Sequence, residues 1–163
     1  MLTKTEFLTA LREEIRVTVH LGSKLQAEHL GYRFSPAQRS LQELLAYLAT
    51  QLSSAVGYFV TGSWDLWEVN AAKNANVTPA TFAAAMQAQY DAIERLLNPI
   101  SDQRFVTKTI RHWSGKRMTV SQACTDYVLR FATSYKMQLF LQAKAAGLST
   151  LNSGNLWQGV DPA

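Results

Sequence analysis

Between Ser35 and Gly62 the apolar residues Leu41, Leu44, Leu45, Leu48, Leu52, Val56 and Phe59 recur at helical spacing. Strand geometry would divide this set between two faces, so the stripe is buried only if the segment is a long helix with other helices packed along it. Ser35-Pro36-Ala37-Gln38 gives its expected start, because a proline at the first helical position lacks only a donor that would have no partner there, and Ser35 can cap. Gly62 gives its expected end. Three more helices follow from the same reasoning. Thr3 and Glu6 make a capping box ahead of Phe7, Leu8, Leu11, Ile15 and Val19. Thr78-Pro79 precedes Phe82, Met86, Tyr90, Ile93 and Leu97, and Asn98-Pro99 ends that helix. Thr119 and Gln122 open the last, whose face carries Val120, Cys124, Tyr127, Val128, Phe131, Tyr135 and Leu139 up to Gly147. The predicted fold is all-α, a four-helix bundle forming one domain over 1–163, a length that suits one core rather than two.

The connections set the expected topology. Residues 63–77 are read as an extended crossover which, at roughly 3.3 Å per residue, spans a helix length and lets helices two and three run parallel. The order is then up-down-down-up. In residues 100–118 the β-prone Phe105-Val106-Thr107 and Thr109-Ile110 predict a short hairpin-like excursion.

Several function classes are excluded or weakened by what the chain lacks. Cys124 is the only cysteine, so neither an internal disulfide nor a thiolate-rich zinc site can form, and a reducing cytoplasm is the expected setting. No run approaches the ~18 consecutive apolar residues of a membrane helix, and the start of the chain has no signal-peptide core. His20, His29 and His112 show no ligand spacing, and Glu43, Asp91, Glu94 and Asp126 form no close acid/base pair. No hydroxyl residue sits in a nucleophile motif, and Cys124 lies on a buried stripe, so no catalytic residue is assigned. The charged fraction of 17% is below the average of about 25%; it suits a subunit interface, and a homodimer is expected. Arg104, Lys108, Arg111, Lys116 and Arg117 surround His112 and Trp113. One aromatic in a basic stretch is read as a solvated or partner-facing loop, with nucleic-acid binding as the lesser alternative.

The run Tyr135-Lys136-Met137-Gln138-Leu139-Phe140-Leu141 through Gly147 resembles the final helix of the DinB/YfiT-like family of bacterial four-helix bundles, which typically reads His-Arg-x-Gln where this chain has Tyr135-Lys136-Met137-Gln138. Leu151-Asn152-Ser153-Gly154-Asn155-Leu156-Trp157-Gln158-Gly159 is similar to the tail of a subset of that family. The resemblance implies an up-down-down-up bundle and a divalent metal held by one histidine of helix two and two of helix four. The implied chemistry is a small-thiol-dependent transfer or hydrolysis. Carried onto this sequence, the three ligand positions are Tyr47, Phe131 and Tyr135. Phenol and phenyl rings are poor ligands beside imidazole, so neither metal nor other cofactor is expected.

Two readings of the three rings follow. They fill the former metal cavity as core aromatics, or with Gln51 and Gln138 they line a rebuilt pocket for a small polar ligand. The expected function is a non-catalytic small-ligand-binding or interaction bundle; the alternative is a metal-dependent transferase or hydrolase with atypical ligands. Leu156 and Trp157 are too apolar for a free tail, so residues 148–163 are expected to dock on the bundle or on a second subunit.

Overall fold

The structure is a computed structural model and describes residues 2–161. The first helix, α1 (Lys4–Gly22), begins at the expected capping box: Glu6 N–H donates to the Thr3 hydroxyl at 3.2 Å, and Thr3 N–H donates to the Glu6 carboxylate at 2.8 Å. The second, α2 (Leu41–Thr61), starts later than Ser35-Pro36 suggests. Residues 35–38 form a turn instead, closed by Gln38 N–H on the Ser35 carbonyl. The box that starts the helix is Ser40 with Glu43, where the Glu43 side chain also returns to the Ser40 amide at 2.7 Å. It satisfies two orphan donors where Ser35 would satisfy one. The Gln142 amide holds the preceding loop by donating to the Tyr32 and Arg39 carbonyls, each at 2.9 Å.

The crossover after α2 is helical, not extended. Its helix, α3 (Asp65–Asn74), carries Asp65 and Glu68 in the first turn, where negative charge suits the helix dipole. It lies back along α2: the Asn70 amide donates to Ser53 and Ser54 hydroxyls at 3.1 and 3.0 Å, and the Asn74 amide donates to the Ala49 carbonyl at 2.9 Å. Gly57 permits this approach, since a Cβ there would stand 2.5 Å from Leu66 Cδ1.

The next helix, α4 (Pro79–Leu97), packs on α1 and α2. The Gln42 side chain bonds the Val77 carbonyl, and the Gln89 amide both donates to the Leu48 carbonyl (2.8 Å) and accepts from Leu52 N–H (2.9 Å). These contacts align the start of α4 with the start of α2. Against α1, the Tyr90 hydroxyl donates to the Leu8 carbonyl and Arg12 pairs with Glu94.

Phe105-Val106-Thr107, read as β-prone, falls in a short helix, α5 (Asp102–Thr107), capped by Ser101. A two-stranded antiparallel hairpin follows, β1 (Thr109–Arg111) with β2 (Arg117–Thr119), pairing Ile110 with Met118. The last long helical stretch is α6 (Val120–Ala123), a π-helical turn over Cys124–Leu129 and α7 (Arg130–Ala145). Gly147, at φ +122°, then reverses the chain.

The tail lies on α1. Leu151 and Leu156 are buried, the Arg16 guanidinium donates to the Gln158 carbonyl at 2.6 Å, and Lys24 pairs with Asp161 at 2.7 Å. Trp157 stays 57% exposed, with the Lys136 ammonium 5.3 Å from its ring. The last two residues of the expected tail lie outside the described residues. The α2 helix is the one described helix long and apolar enough to cross a membrane by composition, yet 72% of that window is buried inside the protein. It is the core helix, with Leu44, Leu45, Leu48, Leu52 and Val56 all essentially without exposure.

Candidate functional site

The aromatic residues of α2, α3, α7 and the hairpin turn meet in a closed circuit. The Tyr47 ring lies 4.8 Å from Tyr135, Tyr135 lies 6.4 Å from Phe131, and Phe131 lies 6.2 Å from Trp113. Trp113 continues to Trp64 at 5.4 Å, Trp64 to Trp67 at 6.3 Å, and Trp67 returns to Tyr47 at 5.9 Å. Three of these residues are the ones that the DinB/YfiT-like resemblance puts at ligand positions, and Tyr135 touches both of the others. Neighbouring rings at such separations each add about 0.5–1.5 kcal/mol beyond the area they bury.

Trp113 is the hub. It stacks on Phe59 at 5.2 Å, meets Tyr58 and Tyr127 edge-on, and touches the His112 imidazole at 3.8 Å. The connection read as a solvated or partner-facing loop is therefore anchored to the bundle, because a tryptophan and a histidine at the hairpin turn find rings on two helices to cover them. The His112 ring also stacks on Tyr127 at 4.0 Å; its Nδ1 lies 2.7 Å from the Ser114 hydroxyl, and its buried Nε2 has no hydrogen-bond partner among the described residues.

Burial, helped by the Lys116 charge, holds the His112 imidazole below its ordinary value of 6.5, and burial with the Lys24 charge does the same for His20. Both are therefore neutral in the folded protein at pH 7. Below about 6.5 the unfolded chain takes up protons that the folded one resists, so stability falls on acidification. The melting temperature should drop between pH 7 and pH 5.5, in a window above that of the carboxylates. Replacing both histidines by glutamine should flatten that slope, which thermal melts across the range would measure.

The site does not suit a divalent ion. Burial first, and the adjacent Tyr135 phenol second, push the Tyr47 phenol well above its ordinary range, so the anionic form that could ligate a metal is disfavoured. The histidines are dispersed: His20 is 3.1 Å from the Asn155 amide, His29 Nδ1 accepts from Gln26 N–H at 2.9 Å, and His112 is held by Ser114. Among the described residues no three His, Cys, Asp or Glu side chains cluster to hold an ion. Cys124 is fully buried, and burial pushes its thiol far above the reactive range.

Beside Tyr47 the surface opens. A cleft of about 310 Å³ lies between α2 and α3, walled by Arg39, Gln42, Glu43, Tyr47, Thr50 and Trp67. The Arg39 guanidinium covers the Tyr47 ring at 3.9 Å, a cation–π geometry. Gln51, one helical turn beyond Tyr47, is 2% exposed, and neither atom of its amide has a partner among the described residues. An unsatisfied buried amide is costly. Gln138 is not part of this arrangement; its amide turns to Gln142 at 3.5 Å. Neither Gln51, Phe131 nor Tyr135 lines the open cleft.

Trp67, Arg39, Trp113 and Trp64 were not among the expected site residues. The signal for Trp67 was present, since Asp65 and Glu68 mark a helical first turn that places Leu66 and Trp67 toward α2. No pattern in the sequence marks the π-helical turn just before Phe131, a feature frequent at functional sites.

No protein-family model matches the sequence, and no curated protein is similar to it in sequence. The architecture does have a counterpart. It superposes on the crystal structure of a DinB-like protein, YjoA, from Bacillus subtilis with a TM-score of 0.65, over 86% of this chain and 91% of that one. The fold is DinB-like. At 15% identity the match to YjoA is one of architecture; the chemistry of this chain rests on its own residues.

Proposed function

We propose that this chain is a DinB-like bundle of up-down-down-up order that lacks the family's metal triad and acts without catalysis, binding a small planar organic molecule in the cleft beside Tyr47. One observation carries the reading: the three ligand positions hold rings, with Tyr135 in contact with both Tyr47 and Phe131, while the cleft next to Tyr47 stays open beside Trp67 and Arg39. A planar ligand with one polar edge fits that chemistry. Its face lies against Trp67 and Tyr47, and its polar edge meets Arg39, Glu43 or the Thr50 hydroxyl.

Titration with planar probes such as salicylate, nicotinamide and indole, followed by tryptophan fluorescence and thermal shift, tests the reading. Trp67→Ala and Tyr47→Ala should abolish the response, and Arg39→Gln should weaken it by about 10- to 100-fold, the worth of a hydrogen bond to a charged group. Binding that survives all three substitutions contradicts the proposal. The homodimer belongs to the same reading, supported by the low charged fraction and by exposed apolar side chains such as Trp157 and Leu141. Sedimentation equilibrium measures it.

A further inference from the structure

The positive charge of this protein is concentrated in one segment. Residues 104–125 carry Arg104, Lys108, Arg111, Lys116 and Arg117 with no Asp or Glu, whereas the rest of the chain holds more acidic than basic side chains, so the formal net charge of +4 resides here. Two of these residues are cross-strand neighbours. The hairpin register sets Arg111 directly opposite Arg117, both exposed, while the next pair, Ile110 with Met118, brings Met118 into the core. Like charges in direct opposition destabilise a strand pair, and the usual relief is a carboxylate from a neighbouring element. Among the described residues no ion pair reaches any of the five.

The two arginines wall a cleft of about 380 Å³ together with Thr109, Ile110 and Gly115. Gly115 sits at φ +87°, and around the Cβ it lacks the nearest side-chain atom is Arg111 Nη2 at 3.8 Å, so backbone and guanidinium approach the same space. Two guanidinium forks, a hydroxyl and no carboxylate match a doubly charged tetrahedral oxyanion better than a singly charged carboxylate. No aromatic ring lines the cleft, and Trp113 in the adjoining turn is committed to Phe59 and His112, so nothing there stacks a nucleic-acid base.

We propose that the outer face of the hairpin is a binding site for a phosphate dianion, either inorganic phosphate or a phosphate monoester, held between Arg111 and Arg117. The site is separate from the cleft beside Tyr47 and does not depend on it. Isothermal titration of the full chain with inorganic phosphate and with phenyl phosphate, at ~50 mM salt where exposed charges are not fully screened, is expected to show saturable binding that weakens as salt rises. Equal affinity for the two identifies free oxyanion as the ligand, and tighter phenyl phosphate identifies a monoester. Arg111→Gln and Arg117→Gln should each weaken binding ~10-fold or more, and Arg117→Lys should retain part of it, since charge survives without the fork. Arg117→Glu should abolish binding yet melt at a higher temperature than the natural chain, because opposite charges would then face across the strands. The proposal is overturned if neither phosphate binds, if the double glutamine variant binds as well as the natural chain, or if only a single-stranded oligonucleotide binds.

Discussion

Glu14→Gln should destabilise the protein by about 3 kcal/mol, the lower end of the cost of breaking a buried ion pair. Lys136 lies on α7 with its side chain 3% exposed, and its ammonium is 2.9 Å from the Glu14 carboxylate of α1, itself 24% exposed. Removing the carboxylate strands a cation where water cannot reach it, whereas the partial exposure of Glu14 keeps the loss from the upper end. Against a total stability of about 5–15 kcal/mol for a domain this size, such a loss is large. The effect should extend to the tail, because the same ammonium faces the Trp157 ring. Adding Lys136→Met to Glu14→Gln should recover much of the stability, since the remaining group is apolar and buried. Urea denaturation of the two single variants and the double variant gives the coupling. A double variant no better than Glu14→Gln would show that the pair is not the source of the loss.

Trp113→Ala should cost a comparable amount, about 3 kcal/mol, at the low end for truncating a large aromatic because the ring is partly exposed. Its consequence should be local first. Trp113 joins the hairpin to Phe59 and Tyr58 of α2, Trp64 beside α3, and Tyr127 and Phe131 of the last helical stretch. Without it, the hairpin keeps Met118 and Ile110 as its chief apolar anchors, and His112 loses one of its two close covering rings. Amide exchange in residues 109–119 should accelerate more than in α4, which Trp113 does not touch. Uniform acceleration across the chain would contradict the assignment of Trp113 as the hairpin's anchor.

The parts legible in the sequence are those where burial and backbone accounting agree. Thr3 with Glu6, Thr119 with Gln122, and Pro79 at a first helical position all mark true helix starts. The Ser35-Pro36 signal failed because it competed with Ser40 and Glu43, whose reciprocal box is worth more than a single cap, and because Gln142, distant in sequence, fixes the loop before it. The helix of the crossover was missed for a different reason. Leu66 and Trp67 touch α2 near the start of this helix, but the rest of its contact runs through Asn70 and Asn74, so it has no sustained apolar stripe to find. Periodicity detects helices held by oil, not those held by amides.

The candidate site shows the same division. Tyr47, Phe131 and Tyr135 could be brought together from spacing on two helices and a family resemblance. The circuit that joins them through Trp113, Trp64 and Trp67 could not, because it depends on a hairpin turn and a crossover folding back over the bundle. The orphaned amide of Gln51 and the opposed arginines of the hairpin are likewise products of register and packing.

The central proposal is that rings stand where the family resemblance implies a metal site, and metal content measures it most directly. Protein purified without chelators, loaded separately with Ni²⁺, Zn²⁺ and Mn²⁺ and then desalted, should retain far less than one ion per chain. The variant with Tyr47→His, Phe131→His and Tyr135→His should retain about one, since three neutral imidazoles on facing helices supply a ligand set. Stoichiometric metal held tightly by the natural chain would contradict the account.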